Sequence, residues 1–247
     1  MPDFDIILRG GRVVDPQQGL DATADIAIAA GCVAAIGPSL SGTATREETV
    51  EGLCVIPGIV DMHVHLSPWL GGKVGHKMLA RAGVTTALDM AGPIEGVVEI
   101  ARDHGAGLTI ACINYARPGH TIESTDPSEA ELRDLFARSM KAGAIGVKLL
   151  GGHFPMTPDA AARTIAVAAE LGAYIAFHAG TIEKGSNIEG MAEACELTAG
   201  HKLHLAHINS YTRGLVRDAV EEGEEALRLL AAHPHIISES YLAPING

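Results

Sequence analysis

After Pro57-Gly58 the chain alternates between short apolar segments and amphipathic segments, and this alternation limits the fold more than any other feature. Seven segments have the length and composition of buried strands: 59–66, 85–90, 108–114, 144–150, 174–178, 203–208 and 236–241. The amphipathic stretches between them include 128–142, 158–171, 191–199 and 213–232. Strands that alternate with helices form a parallel sheet, and a closed (β/α)8 barrel has eight strands. The sequence therefore predicts an α/β fold, a TIM-type barrel of which this chain supplies about seven strands.

The first 56 residues differ from the rest, because short β-type runs are separated there by Gly, Pro and Asp without helical periodicity. Runs at 5–9, 12–15, 24–29 and 32–36 predict three or four strands of a small antiparallel sheet. We therefore expect two domains: a small β-domain of the sandwich type over 1–56 and the barrel over 57–247.

The charge balance argues against two classes of partner, and the cysteines and the N-terminal segment bear on where the protein is found. The chain carries 18 Lys and Arg against 30 Asp and Glu, a net charge of −12, which argues against nucleic acid and anionic membrane surfaces. Four separated cysteines form no CxxC pair, and the N-terminal segment lacks the pattern of a signal peptide. No apolar run approaches the roughly 18 residues of a membrane span. A cytoplasmic protein is therefore expected.

The first predicted barrel strand ends in Asp61-Met62-His63-Val64-His65. Side chains alternate along a strand, so His63 and His65 point to the same side. At the mouth of a barrel, two such imidazoles can share one metal ion. Two half-buried histidines that only form hydrogen bonds are the alternative interpretation of this motif.

Histidines also end two later predicted strands. Phe177-His178-Ala179-Gly180 closes the fifth strand, and Ala206-His207-Ile208-Asn209 closes the sixth. Because the carboxyl ends of parallel strands meet at one mouth, four histidines from three strands are expected to converge there. His204 lies three positions before His207, and this odd spacing predicts that it packs on the opposite face, under the helix layer.

Lys148 lies near the end of the apolar strand 144–150, where a lone ammonium would face a dehydrated interior. Burial of an unpaired charge is costly, so such a lysine should be neutralised or modified. A neutral amine can take up carbon dioxide to form a carbamate, an anionic ligand able to bridge two metal ions. A lysine that is paired with a carboxylate, or solvated at the strand end, is the alternative.

The segment Pro57-Gly58-Ile59-Val60-Asp61-Met62-His63-Val64-His65, preceded by a small β-domain, resembles the opening of the metal-dependent amidohydrolase superfamily. The chain is most similar to the binuclear branch, which contains hydantoinases, dihydroorotases, D-aminoacylases and isoaspartyl dipeptidases. Residues 206–209 are close to the sixth-strand pattern of its dipeptidase and acylase members. The resemblance covers essentially the whole chain, which apparently lacks the family's C-terminal part.

The resemblance implies a site with two divalent metal ions. His63 and His65 are expected to bind the more buried ion, and carboxylated Lys148 to bridge it to a second ion held by His178 and His207. Zinc is the metal expected for a His-rich hydrolytic site, with Mn, Co and Fe as alternatives. Carbon dioxide, as the carbamate of Lys148, is the second implied cofactor.

The resemblance also implies hydrolysis of the C–N bond of an amide, cyclic amide or N-acyl compound by a metal-bridging hydroxide. The family's catalytic base is an Asp at the end of the eighth strand, and no such strand follows Tyr241 in this sequence. A companion polypeptide is therefore expected to supply strand 8, this Asp and the remaining strands of the small β-domain, which is otherwise incomplete.

Three residues are candidates for contact with a small amide-type substrate. His153 follows Lys148 by five positions, where related hydrolases often place a side chain that orients the substrate or its oxyanion, so it is also a catalytic candidate. Tyr115 and Arg117 follow the third strand, and an arginine suits a substrate carboxylate. Ordinary surface-loop residues are the alternative at each position.

Two other functions remain open. The first is a non-catalytic scaffold subunit that retains its metals, favoured by the missing Asp and opposed by the five retained ligands. The second is a mononuclear deaminase of the same superfamily, suggested by His178-Ala179-Gly180. Those enzymes typically have an acid next, whereas this sequence has Thr181.

Overall fold

The computed structural model describes residues 2–68 and 72–241. It divides into two compact units, Met1–Gly58 and Ile59–Gly247. No helix in the described ranges is long and apolar enough to cross a membrane.

The first unit is built on one five-stranded sheet. Its strands are β1 (Phe4–Asp15), β2 (Leu20–Ala29), β3 (Cys32–Gly37), β4 (Ala44–Thr49) and β5 (Cys54–Val55). The sheet order is β3-β2-β1-β4, and β5 also pairs with β1. The expected antiparallel pairing is found for β1–β2 and β2–β3. The runs at 5–9 and 12–15, expected as separate strands, form the single strand β1. Strands β4 and β5, which were not among the expected strands, run parallel to β1. The connection at 38–43 carries the chain across to the free edge of β1, so β4 enters in the direction of β1.

The second unit contains seven parallel strands and six helices within its described residues, as the strand–helix alternation predicts. In chain order these are β6 (Ile59–Val64), α1 (Gly72–Arg81), β7 (Val84–Met90), α2 (Ile94–His104), β8 (Thr109–Ala116), α3 (Glu129–Lys141), β9 (Gly146–Leu150), α4 (Pro158–Leu171), β10 (Tyr174–His178), α5 (Ile188–Leu197), β11 (Leu203–Leu205), α6 (Ala219–Ala232) and β12 (Ile236–Ser238). The sheet order runs without interruption from β12 to β6. The sheet curls into most of a TIM-type barrel.

Local sequence signals explain several helix boundaries. Ser128 accepts a hydrogen bond from the Glu131 N–H to begin α3, and Thr157 caps α4 with a proline in its first turn. Helix α6 begins at Ala219, six residues later than the amphipathic pattern predicts. The preceding loop stays non-helical because its backbone N–H groups at 214, 216 and 217 bond to the buried carboxylate of Glu222.

The two faces of the barrel sheet have different neighbours. Val147, Leu149 and Phe177 belong to the main hydrophobic core with buried residues of the helices, so the intervening residues face the barrel interior. The register pairs Lys148 with Ala176 and Ala176 with His204. Lys148 and His204 therefore lie in one layer of inward-facing side chains, and the prediction that His204 packs under the helices is wrong.

Candidate functional site

Polar side chains meet at the carboxyl ends of the barrel strands, around a cavity of about 650 Å³. Seven of the eight residues predicted from the sequence line this cavity: His65, Tyr115, Arg117, Lys148, His153, His178 and His207. His63, the eighth, lies beside them. The structure therefore brings the predicted set together, because the eight residues lie at or just after the carboxyl ends of five parallel strands of one curled sheet.

The four histidines expected as ligands form one cluster of rings. Ring centroids are 5.3 Å apart for His63 and His65, 5.3 Å for His63 and His207, and 4.4 Å for His178 and His207. His153 joins the edge of the cluster, with its ring 5.3 Å from that of His178. His65 and His153 are exposed, whereas the other three are partly buried.

Lys148 is only 3% exposed and lies beneath this cluster. Its Nζ is 3.3 Å from His63 Nε2 and 3.3 Å from the carbonyl oxygen of Met90. Within residues 2–68 and 72–241 its ammonium has no carboxylate partner at ion-pair distance. Burial lowers the pKa of Lys148 to about 8, so roughly a tenth of the amine is neutral at pH 7.

His207 has a strained backbone and an unused ring nitrogen. It follows β11 with φ of 39°, in the left-handed region that a residue with a side chain seldom adopts. Its Nδ1 is buried and has no hydrogen-bond partner in the described part of the chain. Burial lowers the pKa of His207 to about 4, so its imidazole is neutral and can donate a lone pair to a metal ion.

His178 ends β10 and is held by close neighbours. Its Nε2 lies 2.9 Å from the hydroxyl of Ser186. Gly152 passes so near that an added Cβ would overlap the His178 imidazole, which requires a glycine at that position of the loop after β9. Burial lowers the pKa of His178 to about 2.

Glu239 is a site residue that the sequence reasoning missed. It follows β12, and its Oε1 lies 2.5 Å from His63 Nδ1 and 3.2 Å from His204 Nε2, while its Oε2 accepts the backbone N–H of His207 at 2.9 Å. Burial alone would raise the pKa of Glu239, but the hydrogen bonds from His204 and His63 lower it overall. The signal that identifies Glu239 is an acidic residue at the end of an apolar strand, because the predicted histidines occupy the same position on their strands.

The outer part of the cavity carries two arginines. The Arg117 guanidinium lies 4.1 Å above the ring of Phe154, and Arg213 donates to the Tyr241 hydroxyl at 3.1 Å. Neither arginine forms an ion pair with a carboxylate among the described residues. The hydroxyl of Tyr115 lies 3.4 Å from His120 Nδ1, at the same side of the cavity. Arg213 was not among the predicted contacts, since an arginine in a polar loop gives no distinctive signal.

The donor chemistry of this cluster suits divalent metal ions. Neutral imidazoles are ligands for zinc and similar metals, and His207 Nδ1 is a buried nitrogen left without a partner. As the side chains stand, no three His, Cys, Asp or Glu residues of the described ranges are arranged to hold an ion. A ligand set for metal therefore needs Lys148 in anionic form or small side-chain movements.

The model of the amidohydrolase family matches residues 54–234 of this chain. Among curated proteins, an allantoinase of Rubrobacter xylanophilus is 40% identical over 95 residues, which are 36% of this chain and 20% of that protein. A dihydroorotase of Pelobacter propionicus is 32% identical over 150 residues, 60% of this chain and 30% of that protein. The matched regions thus span less than a third of these relatives.

Solved structures share the fold at low identity. An N-acyl-D-glutamate deacylase of Bordetella bronchiseptica superposes with a TM-score of 0.74 at 17% identity, covering 98% of this chain and 59% of that one. A D-aminoacylase gives a TM-score of 0.74 at 18% identity, covering 96% and 58%. The family match extends over most of the sequence and includes the strands that carry the histidine cluster. This chain belongs to the amidohydrolase family.

Proposed function

We propose that this chain is the metal-binding part of a hydrolase that cleaves the C–N bond of an amide, cyclic amide or N-acyl compound. The observation that carries the proposal is the cluster of His63, His65, His178 and His207 around the buried amine of Lys148. Membership of the amidohydrolase family supports a metal-dependent hydrolase. The structural neighbour from Bordetella bronchiseptica is described as complexed with zinc, which supports zinc as the metal here.

In this proposal Lys148 reacts with carbon dioxide. Its neutral nitrogen attacks the carbon atom, the N–C bond forms as one C=O π bond opens and leaves its electron pair on oxygen, and the proton released from nitrogen passes to solvent water, which gives an anionic carbamate. Three observations support this reaction: Lys148 is buried, it has no carboxylate partner in residues 2–68 and 72–241, and its Nζ lies 3.3 Å from His63 Nε2. His63 and His65 would hold one divalent ion and His178 and His207 a second, and the carbamate would supply an anionic ligand to this pair.

Metal ions bound there would supply a nucleophilic water at neutral pH and polarise the scissile carbonyl. His153, exposed at the edge of the cluster, is proposed to orient the substrate carbonyl. Tyr115 and Arg117 are proposed to contact the far end of the substrate. Arg117 and Arg213 both line the cavity and form no ion pair among the described residues, which supports a substrate that carries a carboxylate, such as an N-acyl amino acid.

A further strand and helix are proposed to close the barrel. Strands β6 and β12 each have one unpaired edge in the described sheet, and apolar side chains are exposed there: Ile59, Val60, Met62 and Ile237. Val74 and Met78 of α1 are 59% and 65% exposed, as suits a helix with one side left open in the described part of the chain. An exposed apolar edge favours pairing with another strand. A companion polypeptide with one βα unit fits this gap and would also supply the catalytic base.

The proposed metal site is tested by measuring the metal content and the intact mass of the protein. We expect the purified protein, with its natural partner present, to contain two divalent ions per chain and one added carbon dioxide on Lys148, seen by native mass spectrometry and by ¹³C NMR after ¹³CO2 labelling. Lys148→Met should lose the carbamate signal and at least one ion, whereas Lys141→Met, on an exposed helix position, should keep both. Absence of metal and carbamate in the wild type would contradict the proposal.

The same spectra test the proposed partner. A second, different polypeptide of at least one βα unit is expected in the native complex. A stable, active species that contains this polypeptide alone would contradict the two-chain arrangement.

The substrate class is tested by measuring turnover of a panel of N-acyl amino acids. We expect Arg117→Met to raise the KM for these substrates about tenfold or more.

A further inference from the structure

A hydrogen-bonded chain of four side chains runs through the barrel interior to the histidine cluster. The Tyr174 hydroxyl lies 2.6 Å from His204 Nδ1, His204 Nε2 lies 3.2 Å from Glu239 Oε1, and the same oxygen lies 2.5 Å from His63 Nδ1. His204 is 2% exposed, and the side chains of His63 and Glu239 are 14% and 18% exposed. The chain is therefore largely shielded from water.

The chemistry of these groups determines where the hydrogens lie. A carboxylate only accepts hydrogen bonds, so both imidazole nitrogens that face Glu239 must carry hydrogen. His63 is thus protonated at Nδ1 and His204 at Nε2, and His204 Nδ1 accepts from the Tyr174 hydroxyl. The lone pair of His63 is left on Nε2, which is directed toward Lys148 Nζ at 3.3 Å.

We propose that Glu239 and His204 are positioning residues that hold His63 in its Nδ1–H tautomer, with Nε2 presented to the metal site. The inference deepens the proposed function and rests on it only for the metal-affinity readout. Partners of this kind orient ligand histidines in metal sites, and their loss commonly costs 10–100-fold in metal affinity. The tautomer itself is a property of the protein without metal.

The same contacts define the role of Glu239. Its Oε1 is shared by two imidazoles and its Oε2 accepts the His207 N–H at 2.9 Å. These donors use three of the roughly four acceptor sites of a carboxylate. Glu239 is therefore held as an acceptor for His63, His204 and the backbone of His207, as a positioning residue is.

Two-bond ¹H–¹⁵N spectra of the metal-free, histidine-labelled protein test the proposal directly. In the wild type, His63 should show the Nδ1–H pattern, and Glu239→Ala should shift it to the Nε2–H form or a mixture. Tyr174→Phe removes only the far end of the chain and is the matched control, with the His63 tautomer unchanged. Cobalt(II) titration should show affinity reduced about 10–100-fold in Glu239→Ala and near the wild-type value in Tyr174→Phe.

The outcomes separate the inference from the proposed function. A wild-type His63 in the Nε2–H form overturns the inference, as does unchanged cobalt affinity in a folded Glu239→Ala protein. If wild-type His63 is Nδ1–H but binds no cobalt(II) or zinc, the proposed metal function fails while the assigned tautomer stands. Should Glu239→Ala not fold, as judged by circular dichroism, His204→Gln provides the second variant, and the wild-type spectrum still decides the tautomer.

Discussion

The Tyr211 hydroxyl accepts a hydrogen bond from the backbone N–H of Ala179 at 2.9 Å, and it donates one to the carbonyl of Ala206 at 2.8 Å. These two residues adjoin His178 and His207, whose rings are 4.4 Å apart. Tyr211 is 1% exposed, so water does not compete for these bonds. One buried hydroxyl therefore ties together the ends of β10 and β11 where the candidate ligands lie.

Tyr211→Phe should lower the free energy of unfolding by about 1–3 kcal/mol, because the Ala179 N–H is left buried without an acceptor. Urea denaturation followed by circular dichroism measures this loss. Tyr115→Phe is the control: its hydroxyl makes only a 3.4 Å contact with exposed His120, so a change below about 0.5 kcal/mol is expected. Equal stability losses in the two variants would contradict the structural role of Tyr211.

Gly152→Ala should weaken metal binding without unfolding the protein. The added methyl overlaps the His178 imidazole and must displace either the ring or the loop after β9. Isothermal titration with zinc should show affinity reduced about tenfold or more, a loss comparable to that of an orienting partner. Gly223→Ala, in α6 with open space around it, should instead stabilise the protein by about 0.5–1 kcal/mol and leave zinc affinity unchanged.

Glu222→Gln should loosen the loop between Tyr211 and α6, which carries Arg213 at the cavity. The Glu222 carboxylate accepts N–H groups of Gly214, Val216 and Arg217 at 2.7–3.0 Å, and an amide would oppose some of these donors with its own NH2 group. Trypsin should therefore cleave after Arg213 or Arg217 several times faster. The Glu221→Gln variant, changed at the exposed neighbouring position, should be cleaved by trypsin at the wild-type rate. Equal cleavage rates for Glu222→Gln and Glu221→Gln would count against the role of Glu222 in holding the loop.

Asp25 should make the first unit sensitive to acid. Hydrogen bonds from Arg9 at 2.9 Å and from the Leu40 and Gly10 N–H groups lower the pKa of this buried carboxylate below 3.8. A lowered folded-state pKa gives stabilisation that is complete above about 3.8 and is lost as the pH falls further. The protection factors of the Gly10 and Leu40 amides, which correct for the intrinsic pH dependence of exchange, should therefore fall as the pH falls below this value.

Asp25→Asn is the variant that checks this dependence. It should destabilise the first unit by about 1–3 kcal/mol at pH 7 and show a smaller difference from the wild type at pH 3, which lies below the ordinary carboxyl pKa of 3.8, so that the unfolded wild-type chain already takes up the proton. Asp21→Asn breaks only the exposed pair with Arg12 and should cost less than about 1 kcal/mol. A constant difference between Asp25→Asn and the wild type across pH 3–7 would contradict the assignment.

Parts of the fold that depend on local pattern were predictable. Helix α4 begins and ends where the Thr157 cap and the amphipathic pattern predict, and β10 has the predicted bounds. The parallel order of seven strands follows from the strand–helix alternation. The start of α6 was not predictable, because a buried carboxylate eight residues along the chain from Gly214 holds the loop open.

His204 shows why alternation alone is insufficient for the site. Its spacing from His207 suggested opposite faces. However, β11 ends at Leu205 and His207 has a left-handed backbone, so the alternation of side chains along a strand does not extend to His207. The inward orientation of His204 follows from its register with Ala176 and Lys148. Register is a property of the assembled sheet.

The sequence by itself determined the family, the strand–helix order and eight of the residues that meet at the barrel mouth, because each of these depends on local pattern and on the parallel topology that it imposes. Only the tertiary structure decided that Glu239 reaches His63, from a position 176 residues further along the chain, and that Tyr211 ties the ends of β10 and β11 together. Such contacts depend on the curvature of the whole sheet, which no local segment encodes.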